Sequence, residues 1–210
     1  TCLVNPHAPS GTLYTVSDIS KLADHIPGVL LIDEAYADFI DPELNYQSAS
    51  LLESHDNILI LRSFSKGYSL AGLRLGYLLG SNPLIAPILN KTRDSYNVGS
   101  IQQKIGIAAI KDQDYAQSIW SRIRGNRTHL QKQLNALGLT SPPSQSNFLL
   151  AHVNEDFGLT AKKLYQSLKK MNIYVRYFDD TYLKDHLRIT VGTQEQNTAL
   201  INAIEQVLHV

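Results

Sequence analysis

Two short apolar runs, residues 29–32 and 58–61, constrain the fold of this chain more than any other feature. Each run is continuous rather than alternating, which is typical of a strand that is covered on both faces of its sheet. Helix-like segments lie between the strand-like ones through the first half of the chain. Such an alternation favours a mostly parallel sheet flanked by helices, so the sequence predicts an α/β fold.

Residues 1–114 are predicted to form part of a large domain. Ser17 is the expected N-cap of its first helix, because a serine hydroxyl can accept a hydrogen bond from a free backbone N–H group at a helix start. The expected strands cover residues 2–4, 29–32, 58–61 and 75–79, and the expected helices cover residues 17–25, 83–89 and 101–110.

Residues 115–210 are predicted to form a small α+β domain at the carboxyl terminus. A long, charged and periodic helix over residues 115–137 opens this part of the chain, and Gly138 is its expected stop. The order strand, helix, strand, strand, helix is typical of the α+β class. These segments cover residues 147–153, 160–171, 173–178, 187–191 and 194–208.

Composition argues against several classes of function. Nineteen basic and nineteen acidic residues cancel, so no basic field favours nucleic acid. No apolar run approaches the roughly 20 residues that span a bilayer. Cys2 is the single cysteine, which fits a reducing compartment, and we expect a cytoplasmic protein. The seven histidines lack metal-ligand spacing, so no metal site is predicted.

Lys66 follows the second apolar run and lies within the segment 63–76. A lysine amine with a lowered pKa can bond covalently to an aldehyde, and the same amine can later move a proton. Ser63 and Ser65 share one face of an extended segment, and with Arg74 they offer hydroxyl and guanidinium donors to a phosphate. Taken alone, a Ser-Lys pair would be an ordinary surface loop; its neighbours favour a cofactor that has both an aldehyde and a phosphate.

Asp33 and Tyr36 directly follow the first apolar run. A carboxylate beside a pyridine nitrogen keeps that nitrogen protonated, and the cationic ring then withdraws electrons from a substrate. Tyr36, and Asn5 from the first loop, can donate a hydrogen bond to a ring oxygen. A polar pair that merely ends a strand is the alternative, but ligands do bind at the carboxyl ends of parallel strands. The cofactor that fits these groups is pyridoxal 5'-phosphate.

Two arginines lie in the strands predicted near the carboxyl terminus. Arg188 lies within residues 187–193, and Arg176 lies within residues 175–178 of the preceding strand. If the strands pair, both guanidinium groups can approach one anion. The alternative is that each arginine pairs with a nearby aspartate or faces solvent.

Three segments, residues 5–11, 33–39 and 63–76, resemble the successive signature motifs of the fold-type I aminotransferases. Within that family, residues 33–39, 94–98, 175–178 and 187–193 are most similar to the histidinol-phosphate aminotransferase branch. The resemblance runs over nearly the whole chain. It implies a fold-type I transferase with an incomplete large domain and a small α+β domain.

The resemblance also implies a role for each motif. Lys66 is the catalytic residue that holds the cofactor, Arg188 binds the acidic end of the substrate, and Arg176 is the second arginine typical of the histidinol-phosphate branch. The implied reaction moves an amino group between L-histidinol phosphate and 2-oxoglutarate in histidine biosynthesis, in a homodimer. The implied cofactor-binding residues are Asn5, Asp33, Tyr36, Ser63, Ser65, Lys66 and Arg74, and the implied substrate-binding residues are Tyr96, Arg176 and Arg188.

The chain begins with Thr1 inside a predicted strand, and we expect that further sequence precedes it. The resemblance implies that such a region would supply a helix start for the cofactor phosphate and an aromatic ring over the pyridine, and that a neighbouring subunit would supply a tyrosine. Three alternatives stay open: a threonine-phosphate decarboxylase, an aromatic aminotransferase of the same fold, and an inactive fragment or assembly module.

Overall fold

The computed structural model describes residues 1–154 and 158–208 of the chain. They form two compact units. The first comprises Thr1–Ala8 and Leu13–Trp120, and the second comprises Pro9–Thr12 and the chain from Ser121 onward. The expected division near residue 114 and the observed division after Trp120 both fall within one helix, Gln113–Ala136.

The first unit is built on a four-stranded sheet with the order β1-β2-β3-β4. Its strands are β1 (Cys2–Val4), β2 (Leu30–Asp33), β3 (Ile58–Ser63) and β4 (Gly76–Gly80). The first three strands are parallel, and β4 runs antiparallel to β3. The predicted mostly parallel sheet is therefore confirmed.

The first helix, α1 (Val16–His25), begins one residue earlier than the sequence predicted, and its cap is Thr15 rather than Ser17. The Thr15 hydroxyl accepts a hydrogen bond from the backbone N–H of Asp18 at 3.1 Å, and the Asp18 carboxylate accepts from the backbone N–H of Thr15 at 3.2 Å. This reciprocal capping box satisfies two backbone donors at once, which a cap at Ser17 would not do.

Two further helices of the first unit are α2 (Asn82–Pro87) and α3 (Ser100–Lys111). A wider turn over Ile88–Thr92 continues α2, so the predicted helix over residues 83–89 changes its winding after Pro87. The long helix Gln113–Ala136 is α4. No helix in residues 1–154 or 158–208 combines the length and the apolar character that a membrane crossing requires.

The core of the first unit lies on one face of its sheet. Leu30 and Ile32 of β2 are fully buried there, and Ile19 of α1 packs against them. Leu31 and Asp33, on the opposite face of β2, are only partly buried. The residues of β2 therefore alternate between buried and partly buried, because α1 and the short helical turns before β3 cover one face of the strand.

The second unit has a three-stranded antiparallel sheet with the order β5-β7-β6. Its elements occur in the predicted order of strand and helix after α4. They are β5 (Phe148–His152), α5 (Ala161–Lys170), β6 (Arg176–Tyr177), β7 (His186–Thr190) and α6 (Gln194–Leu208).

The strand β6 is much shorter than the predicted strand over residues 173–178. Asn172 has a φ of 59°, and the N–H of Ile173 donates to Leu168 O at 2.9 Å. This left-handed cap satisfies the last carbonyls of α5. Ile173, at which the predicted strand begins, instead takes part in the hydrogen bonds that end α5.

His152 and His186 lie opposite each other on β5 and β7, with ring centroids 5.0 Å apart. Burial lowers the pKa of His186, and His152 lowers it further, while Asp185 opposes this. The unfolded chain then binds the proton more tightly, so the second unit loses stability as the pH falls below about 6.5. We expect His186→Gln to reduce the loss of unfolding free energy between pH 7.5 and pH 5, measured by urea denaturation.

His129 provides the matched control for this prediction, because it is an exposed histidine on α4 of the same unit. The variant His129→Gln should keep the pH dependence of the wild type. If His186→Gln also keeps it in full, the histidine pair does not cause the acid sensitivity.

Candidate active site

The candidate site is built on the carboxyl ends of β2 and β3. Asp33 is the last residue of β2 and lies beside Leu61 of β3, two positions before Ser63 ends that strand. Parallel pairing therefore starts the loops after both strands at the same edge of the sheet. The Asp33 carboxylate accepts a hydrogen bond from the backbone N–H of Ala35 at 3.0 Å, which holds it at the strand end.

The loop after β3 is tightly folded around its own backbone. The Ser63 hydroxyl accepts from the N–H of Ser65 at 3.0 Å, and the N–H of Phe64 donates to Leu75 O at 3.1 Å. Ser63 also pairs with Gly76 across the antiparallel β3–β4 ladder. These contacts bring the backbone that follows Arg74 back beside Ser63 and Phe64.

Arg74 adopts the left-handed region with a φ of 53°. Its guanidinium donates to the carbonyl of Ala71 at 3.2 Å and is exposed. Arg74 and the partly exposed residues Ser63 and Ser65 lie in one loop, and a guanidinium with two hydroxyls is a donor set suited to a phosphate dianion.

Lys66, in the loop after β3, lies close to Tyr36 in the loop after β2. It is exposed, and its Nζ lies 5.6 Å from the centroid of the Tyr36 ring. One edge of the sheet thus carries an amine, two hydroxyls, a guanidinium and the Asp33 carboxylate. This set fits pyridoxal phosphate, whose aldehyde, phosphate and ring nitrogen would each find a partner in it.

Asn5 has a different setting from the one the sequence predicted. Its side chain is fully buried, its Oδ1 accepts from Tyr14 N at 2.8 Å, and its Nδ2 donates to Tyr14 O at 3.1 Å and to the Tyr46 hydroxyl at 2.9 Å. Both amide protons are therefore used inside the protein. A contact between Asn5 and a ring oxygen of the cofactor would require one of these bonds to be exchanged.

The sequence prediction missed a buried acid–base cluster behind the site. Glu34 is 1% exposed and lies 2.7 Å from Arg62 Nε, while Arg62 Nη1 lies 3.4 Å from Asp38 Oδ1. Burial and the nearby Glu34 raise the pKa of Asp38 to about 6, against the opposing effect of Arg62. An arginine inside an otherwise apolar strand was the available signal, because a buried guanidinium needs anionic partners.

Tyr46 completes the cluster. Its hydroxyl donates to Glu34 Oε1 at 2.6 Å. Burial raises the pKa of Tyr46, and the Glu34 carboxylate raises it further, so the phenol keeps its proton and remains a donor.

The second unit brings the two predicted arginines together. Arg176 and Arg188 are direct cross-strand partners. Their guanidinium carbons lie 5.4 Å and 6.0 Å from the centroid of the Phe178 ring, and that of Arg188 lies 5.1 Å from the Phe148 ring. Within residues 1–154 and 158–208, neither arginine forms an ion pair. The arrangement places two uncompensated cations around one aromatic ring.

Tyr96 lies in the segment before α3, and 95% of its surface is exposed. Its backbone N–H donates to the Asp94 carboxylate at 3.3 Å. Its role in substrate binding stays a prediction.

A family model described as aminotransferase class I and II matches residues 2–204. The chain belongs to this family. It is 43% identical over 208 residues to histidinol-phosphate aminotransferase 1 from Nostoc sp., an alignment that covers 99% of the chain and 57% of the Nostoc protein. The chain therefore spans little more than half the length of this relative.

Solved structures agree with the family and the fold. Histidinol-phosphate aminotransferase from Sinorhizobium meliloti in complex with pyridoxal-5'-phosphate matches with a TM-score of 0.88 and 27% identity, covering 99% of this chain and 56% of that one. The L-threonine-O-3-phosphate decarboxylase from Porphyromonas gingivalis matches with a TM-score of 0.80 and 24% identity, covering 100% and 64%, and shares the fold. The predicted fold-type I architecture is confirmed, and the family and the Sinorhizobium complex indicate pyridoxal phosphate as the cofactor.

Proposed function

We propose that the full-length protein transfers an amino group between L-histidinol phosphate and 2-oxoglutarate, with pyridoxal phosphate as its cofactor. The similarity to the Nostoc enzyme over 99% of the chain supports the reaction class. The observation that carries the choice of substrate is the cross-strand pair Arg176–Arg188. Two guanidinium groups on adjacent strands suit a phosphate dianion better than a single carboxylate.

Residues of the first unit would hold the cofactor. Arg74 and the hydroxyls of Ser63 and Ser65 would bind its phosphate, and Asp33 would keep a proton on its ring nitrogen. The Tyr36 hydroxyl would donate to its ring oxygen. When bound, pyridoxal phosphate supplies a ring that withdraws electrons from the substrate Cα.

Lys66 would perform the proton transfers. Its Nζ is the group that would hold the cofactor through the aldehyde carbon. The same amine, when free, would move a proton between the substrate Cα and that carbon. An exposed position near the Tyr36 ring leaves Nζ free to move between these two atoms.

A substrate comparison tests this function. We expect kcat/KM for L-histidinol phosphate to exceed that for L-histidinol by at least about 100-fold, since charge-assisted hydrogen bonds contribute about 1.5–3 kcal/mol each. The measurement is formation of glutamate from 2-oxoglutarate by purified full-length protein.

The same assay separates the alternatives. Carbon dioxide released from O-phospho-L-threonine faster than glutamate forms from histidinol phosphate would indicate a decarboxylase. Equal turnover of phenylalanine and histidinol phosphate would indicate an aromatic aminotransferase. Absence of turnover with every amine would contradict the proposal outright.

We also propose that the protein works in the cytoplasm as a homodimer, with a large domain that ends near residue 114 and a small domain after it. The family membership and the predicted two-domain order support this proposal. Sedimentation of the full-length protein at micromolar concentration tests the dimer, and a monomeric mass would contradict it.

A further inference from the structure

Gly67, the residue after Lys66, is buried and contacted from two sides. The indole Nε1 of Trp120 donates to the carbonyl of Gly67 at 2.7 Å. On its other side, the Asp38 carboxyl occupies the space that a Cβ atom at this position would need. The backbone that carries Lys66 is therefore placed by Trp120 and Asp38 together.

Asp38 is tied in turn to the strands of the sheet. Its Oδ1 lies 3.4 Å from Arg62 Nη1, and Arg62 Nε lies 2.7 Å from Glu34 Oε2. Glu34 directly follows Asp33, the residue that would hold the ring nitrogen. A short chain of charged contacts thus runs from the Lys66 loop to the end of β2.

The chain of contacts continues to the loop after β1. Tyr46 donates to Glu34 Oε1 at 2.6 Å, and Asn5 Nδ2 donates to the Tyr46 hydroxyl at 2.9 Å. One network of buried and partly buried side chains therefore links the loops that follow all three parallel strands of the sheet. Packed polar networks of this kind restrict a site to one arrangement, because each member loses its partner if a neighbour moves.

We propose that Asp38 is a positioning residue, which fixes Lys66 relative to Asp33 through its contacts with Gly67 and Arg62. Asp38 acts through the loop and does not contact the reacting atoms. The role in catalysis rests on the proposed function, whereas the ordering of the loop does not.

The ionisation of Asp38 gives this role a pH dependence. Arg62 on β3, Glu34 after β2 and Tyr77 on β4 interact with its carboxyl. Because its pKa is raised to about 6, Asp38 is ionised at pH 7.5 and protonated at pH 5. Because its pKa is raised, the ordered loop holds the proton on Asp38 more tightly than a disordered loop would, so the loop should become better ordered as the pH falls through about 6.

Hydrogen–deuterium exchange of the full-length protein tests the proposal. Asp38→Ala removes the carboxyl that contacts Gly67 and Arg62, and we expect amides of residues 64–70 to exchange about tenfold faster at pH 7.5. Trp120→Phe removes the indole donor and should speed exchange in the same segment. Asp56→Ala, at an exposed aspartate of the same unit, is the matched control and should leave exchange unchanged.

Measurements with and without pyridoxal phosphate separate this proposal from the proposed function. With cofactor, Asp38→Ala should lower kcat about tenfold at pH 7.5 with little change in KM. If the wild type shows no Lys66-dependent visible band, the proposed function fails, and exchange without cofactor still decides the positioning.

Two outcomes of the exchange experiment are decisive. Unchanged exchange over residues 64–70 in both Asp38→Ala and Trp120→Phe would overturn the proposal. If Asp38→Ala exchanges rapidly throughout the chain because it does not fold, Trp120→Phe decides. Fast exchange confined to residues 64–70 then supports the positioning of the loop, and wild-type exchange overturns it.

Discussion

Replacing Lys66 with alanine is expected to abolish covalent attachment of pyridoxal phosphate and to lower amino transfer by at least about 10²–10⁴-fold, the usual contribution of a single proton-transfer group. The loss should reach this size because one amine both bonds the cofactor and moves the proton. Asp33, Ser63 and Arg74 remain in the variant, so weak, non-covalent cofactor binding should survive. The visible absorbance band of the full-length protein measures attachment.

Borohydride reduction followed by mass spectrometry makes this experiment residue-specific. In the wild type, the reduced cofactor should appear on the peptide that contains Lys66. Lys111→Ala, which removes an exposed lysine at the end of α3, should keep the band and the label. A label on any other lysine, or an unchanged band in Lys66→Ala, would contradict the assignment.

Local sequence signals were enough to predict the elements that carry Lys66 and Asp33. The apolar runs before them became β2 and β3, and the helix predicted over residues 194–208 is α6 within the same limits. These predictions succeed because a buried parallel strand shows its character in a few consecutive residues. Strand ends then mark the edge of the sheet where functional loops begin.

The cap of α1 and the length of β6 were predicted wrongly for a common reason. Thr15 and Ser17 are both acceptable cap residues, and only the reciprocal bonds with Asp18 select Thr15. Asn172 turns to the left to close α5, which removes residues from the following strand. In both cases, hydrogen bonds at a helix end decide between states that single-residue preferences leave nearly equal.

The buried cluster behind the site depended on contacts between residues distant in sequence. Glu34 and Arg62 meet only because β2 and β3 are neighbours in the sheet. Asn5 is predicted as a cofactor-binding residue in its loop, and its side chain donates to Tyr14 O and to the Tyr46 hydroxyl in this fold. The direction of a loop side chain follows from tertiary packing, which residue order alone does not determine.

Replacing Arg188 with glutamine is expected to lower kcat/KM for L-histidinol phosphate by roughly 30-fold to 5,000-fold, since losing one member of a charge pair in a binding site costs about 2–5 kcal/mol. Arg188 is partly buried, and its guanidinium lies over the Phe148 ring. The group is therefore already partly removed from water and held in place before a substrate binds. Arg176 is exposed and should matter less. Arg176→Gln is expected to reduce kcat/KM by about tenfold.

Stability should respond in the opposite direction from activity. Like charges directly opposite on paired strands repel each other, and such pairs are worth about 0.2–1 kcal/mol. Arg176→Gln should therefore raise the melting temperature of the ligand-free protein slightly. Inorganic phosphate should raise the melting temperature of the wild type more than that of the double variant Arg176→Gln/Arg188→Gln.

Arg122→Gln supplies the control, because Arg122 is an exposed arginine on α4 of the same unit. It should leave the response to phosphate and the discrimination between histidinol phosphate and histidinol unchanged. If Arg188→Gln loses activity equally toward L-histidinol phosphate and L-histidinol, the arginine does not recognise the phosphate. An equal loss would instead assign Arg188 to the 2-oxo acid, whose carboxylate is common to both reactions.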